Sequence, residues 1–232
     1  MARYRIGCTL SNGKVVTLDH VESTQDEALK LDLQIGDVCR SFNQTTGRGR
    51  RGNEWNASGG VAVTVVVETA TQHLPIAIAV TLATSLNNLI PQYQVGIKWP
   101  NDVYVDGKKL AGVLIEQREG RCFVGVGVNV LEAPIATSTA LYQLGFNGTR
   151  ESVADVVATS VFDATQLDEN KAVTSWRDRD ILVGTILTVQ SGDNIVEGLV
   201  LSIDPCHNLL LQTDSGILEL PAETSTIVTS CK

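Results

Sequence analysis

Residues 95–130 read VGIKWPNDVYVDGKKLAGVLIEQREGRCFVGVGVNV, and their punctuation decides the fold. Asp106-Gly107 is a two-residue turn of the kind that joins antiparallel strands, because both positions tolerate φ > 0. The runs 110–116 and 122–130, joined at Glu119-Gly120, extend that hairpin into further strands. Upstream, GVAVTVVVE (60–68) is a β-branched run typical of a buried strand, and residues 14–18 form a short one.

Helices fall between and after these strands. VESTQDEALKL (21–31) offers Ser23 or Thr24 as N-cap, with Glu27 three residues past Thr24 completing a capping box. LPIAIAVTLATSLNNLI (74–90) reads as a largely buried helix, with Pro75 tolerated in its first turn. RESVADVVATSVFDATQL (150–167) is amphipathic, and a further helical piece runs to Trp176. From residue 181 the character changes to GTILTV, NIVEGLVLSI, NLLLQT and GILELP, which are short strands separated by turn clusters. The expected architecture is α+β over 1–180, a mixed sheet with helices, followed by a small β-barrel or sandwich over 181–232.

Bulk properties narrow the function classes. The 232 residues carry a formal charge of −8, which argues against a dedicated nucleic-acid binder. Apolar stretches are too short to span a bilayer, and the N-terminus lacks a secretory h-region, so a cytoplasmic protein with no membrane association is expected. Five cysteines without C-x-x-C and three dispersed histidines support neither a metal centre nor a disulfide framework.

Against that acidic background, TTGRGRRGNEWNASGG (45–60) sets three arginines among five glycines. It spells G-x-G-x-x-G, but no helix start follows, and a dinucleotide turn binds pyrophosphate through backbone N–H groups rather than arginine. A solvated basic loop is the bland alternative. The functional reading is a loop that closes over an anion, with glycines allowing close approach, arginine forks holding oxygens, and Trp55 covering a base. Its own charges would oppose ordering until the anion arrives. KWPND (98–102), GKKLAG (107–112) and GVGVN (125–129) add lysines, one acid and a strand face bare of side chains.

These ordered motifs, VESTQDEA, QTTGRGRRGNEW, KWPNDV, GKKLAGVLIE and VGVGVNV, resemble those of the biotin–protein ligases over nearly the whole chain. The resemblance implies a biotin/lipoate ligase-like catalytic fold with a small C-terminal SH3-like barrel. It implies ATP-dependent formation of biotinyl-5′-AMP, then transfer of biotin to a lysine of a biotin carboxyl carrier protein domain of a carboxylase. Biotin and ATP with Mg²⁺ would be substrates, with no permanent cofactor, and the protein would be a monomer or homodimer. Because the chain starts almost at the first catalytic strand, no DNA-binding domain or repressor role is expected.

Carried over onto matching positions, the catalytic residues would be Arg48, Lys109 and Asp102. Ser23, Thr24, Gln44, Gly47, Arg48, Lys109, Gly112 and Gly125 would meet biotin, with Arg48 facing its carboxylate. Arg50, Arg51, Trp55, Lys98, Asn101, Asp102 and Asn129 would meet ATP or the adenylate, and Mg²⁺ would lie near Asp102. Asn53 departs from the pattern, standing where many relatives carry a basic residue. Two rivals remain: a lipoate or octanoate ligase, which needs a long apolar channel instead of polar donors, and a non-catalytic nucleotide or nucleic-acid binding module.

Overall fold

The computed structural model describes residues 4–8 (backbone only), 13–49, 54–55, 57–68, 71–221 and 224–230 (229–230 backbone only). Its centre is an eight-stranded mixed sheet. The strands are β1 (Tyr4–Cys8), β2 (Lys14–Leu18), β3 (Val38–Ser41), β6 (Val61–Val67), β10 (Arg121–Val128), β9 (Lys108–Arg118), β8 (Asp102–Val105) and β7 (Val95–Lys98), in that spatial order. Only β2 and β3 pair in parallel. The two hairpin turns form as expected, with φ of 49° and 73° at Asp106-Gly107 and 51° and 73° at Glu119-Gly120.

Both faces of this sheet are covered, which explains why β6 lacks alternation: all seven of its residues are buried. Val61, Val63, Val65 and Val67 face a core shared with α2 (Leu74–Leu89) and α3 (Arg150–Thr165), while Val66 packs with Ala28, Leu33 and Phe123 on the side of α1 (Thr24–Lys30). Helix α4 (Glu169–Arg177) packs beside α2 and buries Trp176. Helix α1 spans only seven residues, so it covers part of its face. The uncovered part lies over β10, where Gly125 and Gly127 continue the face of Phe123, and a cavity opens there.

The cap of α1 decides between the two residues the sequence offers. Ser23, not Thr24, is the N-cap, its hydroxyl accepting from the Asp26 N–H at 3.3 Å. Glu27 completes no capping box; it pairs with Lys30 instead. Thr24 is withdrawn into the protein and used elsewhere.

The C-terminal strands β11 (Ile186–Ser191), β12 (Asn194–Asp204), β13 (Asn208–Thr213), β14 (Gly216–Pro221) and β15 (Ser225–Ser230) form a five-stranded antiparallel sheet, ordered β14-β13-β12-β11-β15. Its buried residues, among them Leu187, Val189, Val200, Leu209 and Leu211, belong to the same apolar cluster as the α2 side of the first sheet. The join is also polar: Trp99, 2% exposed, donates its indole N–H to the Pro205 carbonyl at 3.2 Å. Ile97 exchanges backbone hydrogen bonds with Arg179 and Ile181.

Among the described residues no helix is long and apolar enough to cross a membrane. Cys39 and Cys122 are buried free thiols, pushed by burial up to about 12 and about 11, so neither forms a thiolate at neutral pH. Cys231 and the Cys8 side chain lie outside the described residues.

Candidate active site

The cavity above β9 and β10 has a volume of about 690 Å³. Ser23, Thr24, Gln44, Arg48, Trp55, Lys98, Asn101, Asp102, Lys109, Gly112, Gly125 and Asn129 all line it, so residues as far apart in sequence as Ser23 and Asn129 converge there. Gly47 lies at its edge, against Gln44 and Trp55. Arg50 and Arg51, like Asn53, fall outside the described residues. No histidine lines the cavity, and among the described residues no cluster of three or more metal-ligating side chains exists.

One end of the cavity is polar and buried. Gln44, 6% exposed, accepts from the Thr24 N–H at 2.8 Å and from the Thr24 hydroxyl at 3.1 Å. The Thr64 hydroxyl donates to Thr24 Oγ1 at 2.9 Å. The carboxamide oxygen of Gln44 is thus committed to Thr24, which orients its amide nitrogen for a further acceptor. Gln25 completes this end. Its amide nitrogen donates to the carbonyls of Phe123 (3.1 Å) and Leu114 (3.3 Å). A Cβ at Gly125 would come within 2.8 Å of that side chain. The bare face of Gly125 therefore makes room for Gln25, while its backbone still borders the cavity.

The middle of the cavity holds an ion pair. Lys109 Nζ lies 2.8 Å from Asp102 Oδ1, with both side chains about 30% exposed (30% and 29%). In an uninterrupted strand Lys109 and Gly112, three residues apart, would point to opposite faces. The pairing of β8 with β9 shifts between Val103 and Tyr104, skipping Leu110. That shift brings Lys109 round to the face of Gly112, where a Cβ would meet Lys109 Nζ at 3.2 Å and Asp102 Oδ1 at 3.3 Å. Asp102, Gly112 and Gly127 form one cross-strand row. Trp55 lies on Gly127, where a Cβ would stand 2.1 Å from the indole nitrogen, and Lys109 Nζ sits 5.3 Å from the Trp55 ring centre. The Trp55 indole N–H is buried and meets no acceptor among the described residues.

Lys98 pairs with Asp102 across β7 and β8 and stands 5.2 Å from the Tyr104 ring centre. Burial holds its ammonium below the usual lysine range, assisted by Lys109 and opposed by Asp102. Burial, with Asp102 nearby, pushes the Tyr104 phenol up to about 12. Asn101 and Asn129 use their amide nitrogens on backbone: Asn101 on the Val113 carbonyl, Asn129 on those of Thr139 (3.0 Å) and Lys109 (3.3 Å). Both hold the strands that carry the ion pair.

Arg48 has partners that the sequence does not signal. It borders the cavity, but its fork is bidentate on Asp26, at 2.6 and 2.8 Å, and one nitrogen also reaches Glu116 at 3.3 Å. It faces carboxylates of its own chain. Sequence reading missed Gln25, Gly127 and Tyr104, as well as Ser225, Thr226 and Ile227 of the C-terminal sheet, which also line the cavity. The alternating glycines of GVGVN pointed to Gly127; nothing in the sequence signals residues 225–227.

Comparison with known proteins places this geometry in context. The model of the biotin/lipoate A/B protein ligase family matches residues 17–131. The biotin–[acetyl-CoA-carboxylase] ligase of Mycobacterium tuberculosis is 32% identical over 195 residues, covering 76% of this chain and 73% of that protein. The bifunctional ligase/repressor BirA of Escherichia coli is 27% identical over 234 residues, 90% of this chain and 72% of that protein. In fold, the chain matches a biotin protein ligase from Aquifex aeolicus, solved with biotin and ATP, at a TM-score of 0.81. That match is 24% identical and covers 93% of this chain and 99% of the other.

Proposed function

Because the chain belongs to the biotin–protein ligases of the biotin/lipoate A/B protein ligase family, we propose that it activates biotin with ATP and transfers it to a lysine of a biotin carboxyl carrier domain. In the first step a biotin carboxylate oxygen bonds to the α-phosphorus of ATP, and the bond from that phosphorus to the bridging oxygen breaks, releasing pyrophosphate. In the second, the carrier lysine's amine attacks the acyl carbon of biotinyl-5′-AMP, AMP leaves, and the amine sheds a proton.

The observation that carries this reading is the placing of Lys109 between a buried polar end and an aromatic wall. A carboxylate and a triphosphate repel one another, and fixed cations at the point of contact relieve both that repulsion and the charge developing on phosphate oxygens. Lys109 is that cation. Thr24 and Gln44 then hold the ureido end of biotin, Ser23 caps the helix that begins at Thr24, and Gly47 and Gly112 allow close approach. Lys98, Trp55 and the amides Asn101 and Asn129 belong to the nucleotide side, together with Arg50 and Arg51. Arg48 and Gly125 act on biotin through their neighbours, Asp26 and Gln25. Mg²⁺ enters with the phosphates and neutralises part of their charge; Asp102, the carboxylate paired with Lys109, is the group placed to meet an ion held mainly by its substrate. Asp102 also accepts the carrier lysine's proton.

The polar pair Thr24–Gln44 favours biotin over lipoate or octanoate, whose chains gain nothing from buried donors. We read residues 181–232 as an SH3-like unit appended to a catalytic unit over 1–180, its last strand supplying one wall of the site. The test is transfer itself: the chain, biotin and MgATP, incubated with a purified biotin carrier domain, should modify one carrier lysine. Modification by lipoate instead, or none, contradicts the reading.

A further inference from the structure

Four charged side chains beside the cavity form a closed ring. Asp26 accepts from Arg48 at 2.6 and 2.8 Å; Arg48 reaches Glu116 at 3.3 Å; Glu116 accepts from Arg118 at 2.9 Å; and Arg118 returns to Asp26 at 2.6 Å. Charges alternate round the ring and cancel. Their side chains are 22–38% exposed, half-buried rather than free on the surface. Isolated surface pairs contribute little, but a bidentate arginine within a network is the geometry in which ion pairs matter.

The ring joins three segments that build the site. Asp26 stands on α1, two residues after Thr24. Arg48 lies in β4 (Gly47–Arg48), which pairs with β5 (Glu54–Trp55) in the register Gly47↔Trp55 and Arg48↔Glu54. Glu116 and Arg118 end β9, the strand of Lys109 and Gly112. Fixing Arg48 therefore fixes Gly47 against Gln44 and, through the ladder, the backbone of Trp55 over Gly127. The fork that the sequence assigns to a ligand carboxylate already spends three of its five N–H donors within the chain. The carboxyl of Asp26 is held well below the usual carboxylate range by Arg48, then Arg118, so the Asp26–Arg48 contact stays charged at neutral pH.

We propose that this ring is the positioning device for the biotin end of the site, with Asp26 its central positioning residue and Arg48 acting through Asp26 rather than as a direct ligand. The inference rests on the biotin-ligase reading for its substrate, but not for its structural content. The ring supplies the anion from within, so the Gly47–Arg48 ladder forms without substrate.

The experiment has a ligand-free arm and a kinetic arm on the full chain. In hydrogen exchange without substrates, Asp26→Asn should speed exchange of peptides covering 44–49 by about tenfold, while β6 and α2 peptides, which report folding, stay unchanged. In kinetics, Asp26→Asn should raise the KM for biotin about tenfold and that for ATP less, with kcat within about twofold. The double variant with Arg48→Gln should be no worse than the worse single one. Unchanged exchange at 44–49, or biotin effects that multiply in the double variant, would overturn the proposal. Should wild type catalyse no biotin-dependent pyrophosphate exchange, the substrate reading fails, and the ligand-free arm still decides the ring.

Discussion

Lys109 Nζ stands 2.8 Å from Asp102 Oδ1 over the bare Cα of Gly112, and that relationship exists only because the β8–β9 pairing skips Leu110. Asp102 holds the ammonium in place before any anion arrives, so the cation costs little reorganisation when charge develops on phosphate. Lys109→Ala should lower kcat for adenylate formation by on the order of 10²–10³-fold. Lys109→Gln, which keeps the length without the charge, should fall nearly as far. Pyrophosphate exchange measures both.

Gly127 sets the position of Trp55. In Gly127→Ala the new methyl would lie within 2.1 Å of the indole nitrogen, so the ring must leave the strand. Trp99 and Trp176 are 2% and 0% exposed, leaving Trp55 as the partly exposed tryptophan. The variant should therefore show a red-shifted emission and a KM for ATP raised about tenfold, with stability lowered by roughly 1–3 kcal/mol. Fluorescence and initial rates check it.

The Gln44–Thr24 contact makes a separable prediction. Gln44→Ala leaves the buried Thr24 N–H without its acceptor, costing about 1–3 kcal/mol of stability. It also removes the amide turned toward the polar end. Biotin KM should rise at least about tenfold while ATP KM is unchanged. A matched loss for both substrates would move Gln44 out of the biotin end.

Lys98 gives a pH dependence whose sign follows from burial. Its folded-state affinity for the proton lies below the ordinary lysine value of 10.5. Between the folded and unfolded values the unfolded chain holds more protons, so stability rises with pH in that window. ATP binding runs the other way, because the cation is lost over the same range. Lys98→Met should therefore flatten both trends, as measured by alkaline denaturant titrations and by ATP KM against pH.

Much of the scaffold is legible in the residues themselves. The turns at Asp106-Gly107 and Glu119-Gly120, the run in β6 and the three longer helices are local signals, and they form where expected. The strands β1, β3 and β15 were not anticipated: Val38–Ser41 has only four residues, and its parallel pairing with β2 is a long-range choice. At the site, the family resemblance singled out Lys109, Asp102, Gln44 and Thr24, and all four line one cavity. Partners were out of reach. The Asp26–Arg48 contact spans 22 positions, and the skipped Leu110 that turns Lys109 is a property of pairing, invisible in a strand read alone. The missing Cβ of Gly125 also makes room for Gln25, a neighbour that the strand read alone does not reveal.

The central claim, that Lys109 brings a biotin carboxylate and the α-phosphate of ATP together, is tested most directly by following exchange of labelled pyrophosphate into ATP with the purified chain and each acid in turn. The account predicts exchange that requires biotin and Mg²⁺, ignores lipoate and octanoate, and falls by on the order of 10²–10³-fold in Lys109→Ala. Exchange driven equally by lipoate, or undiminished in Lys109→Ala, would contradict it.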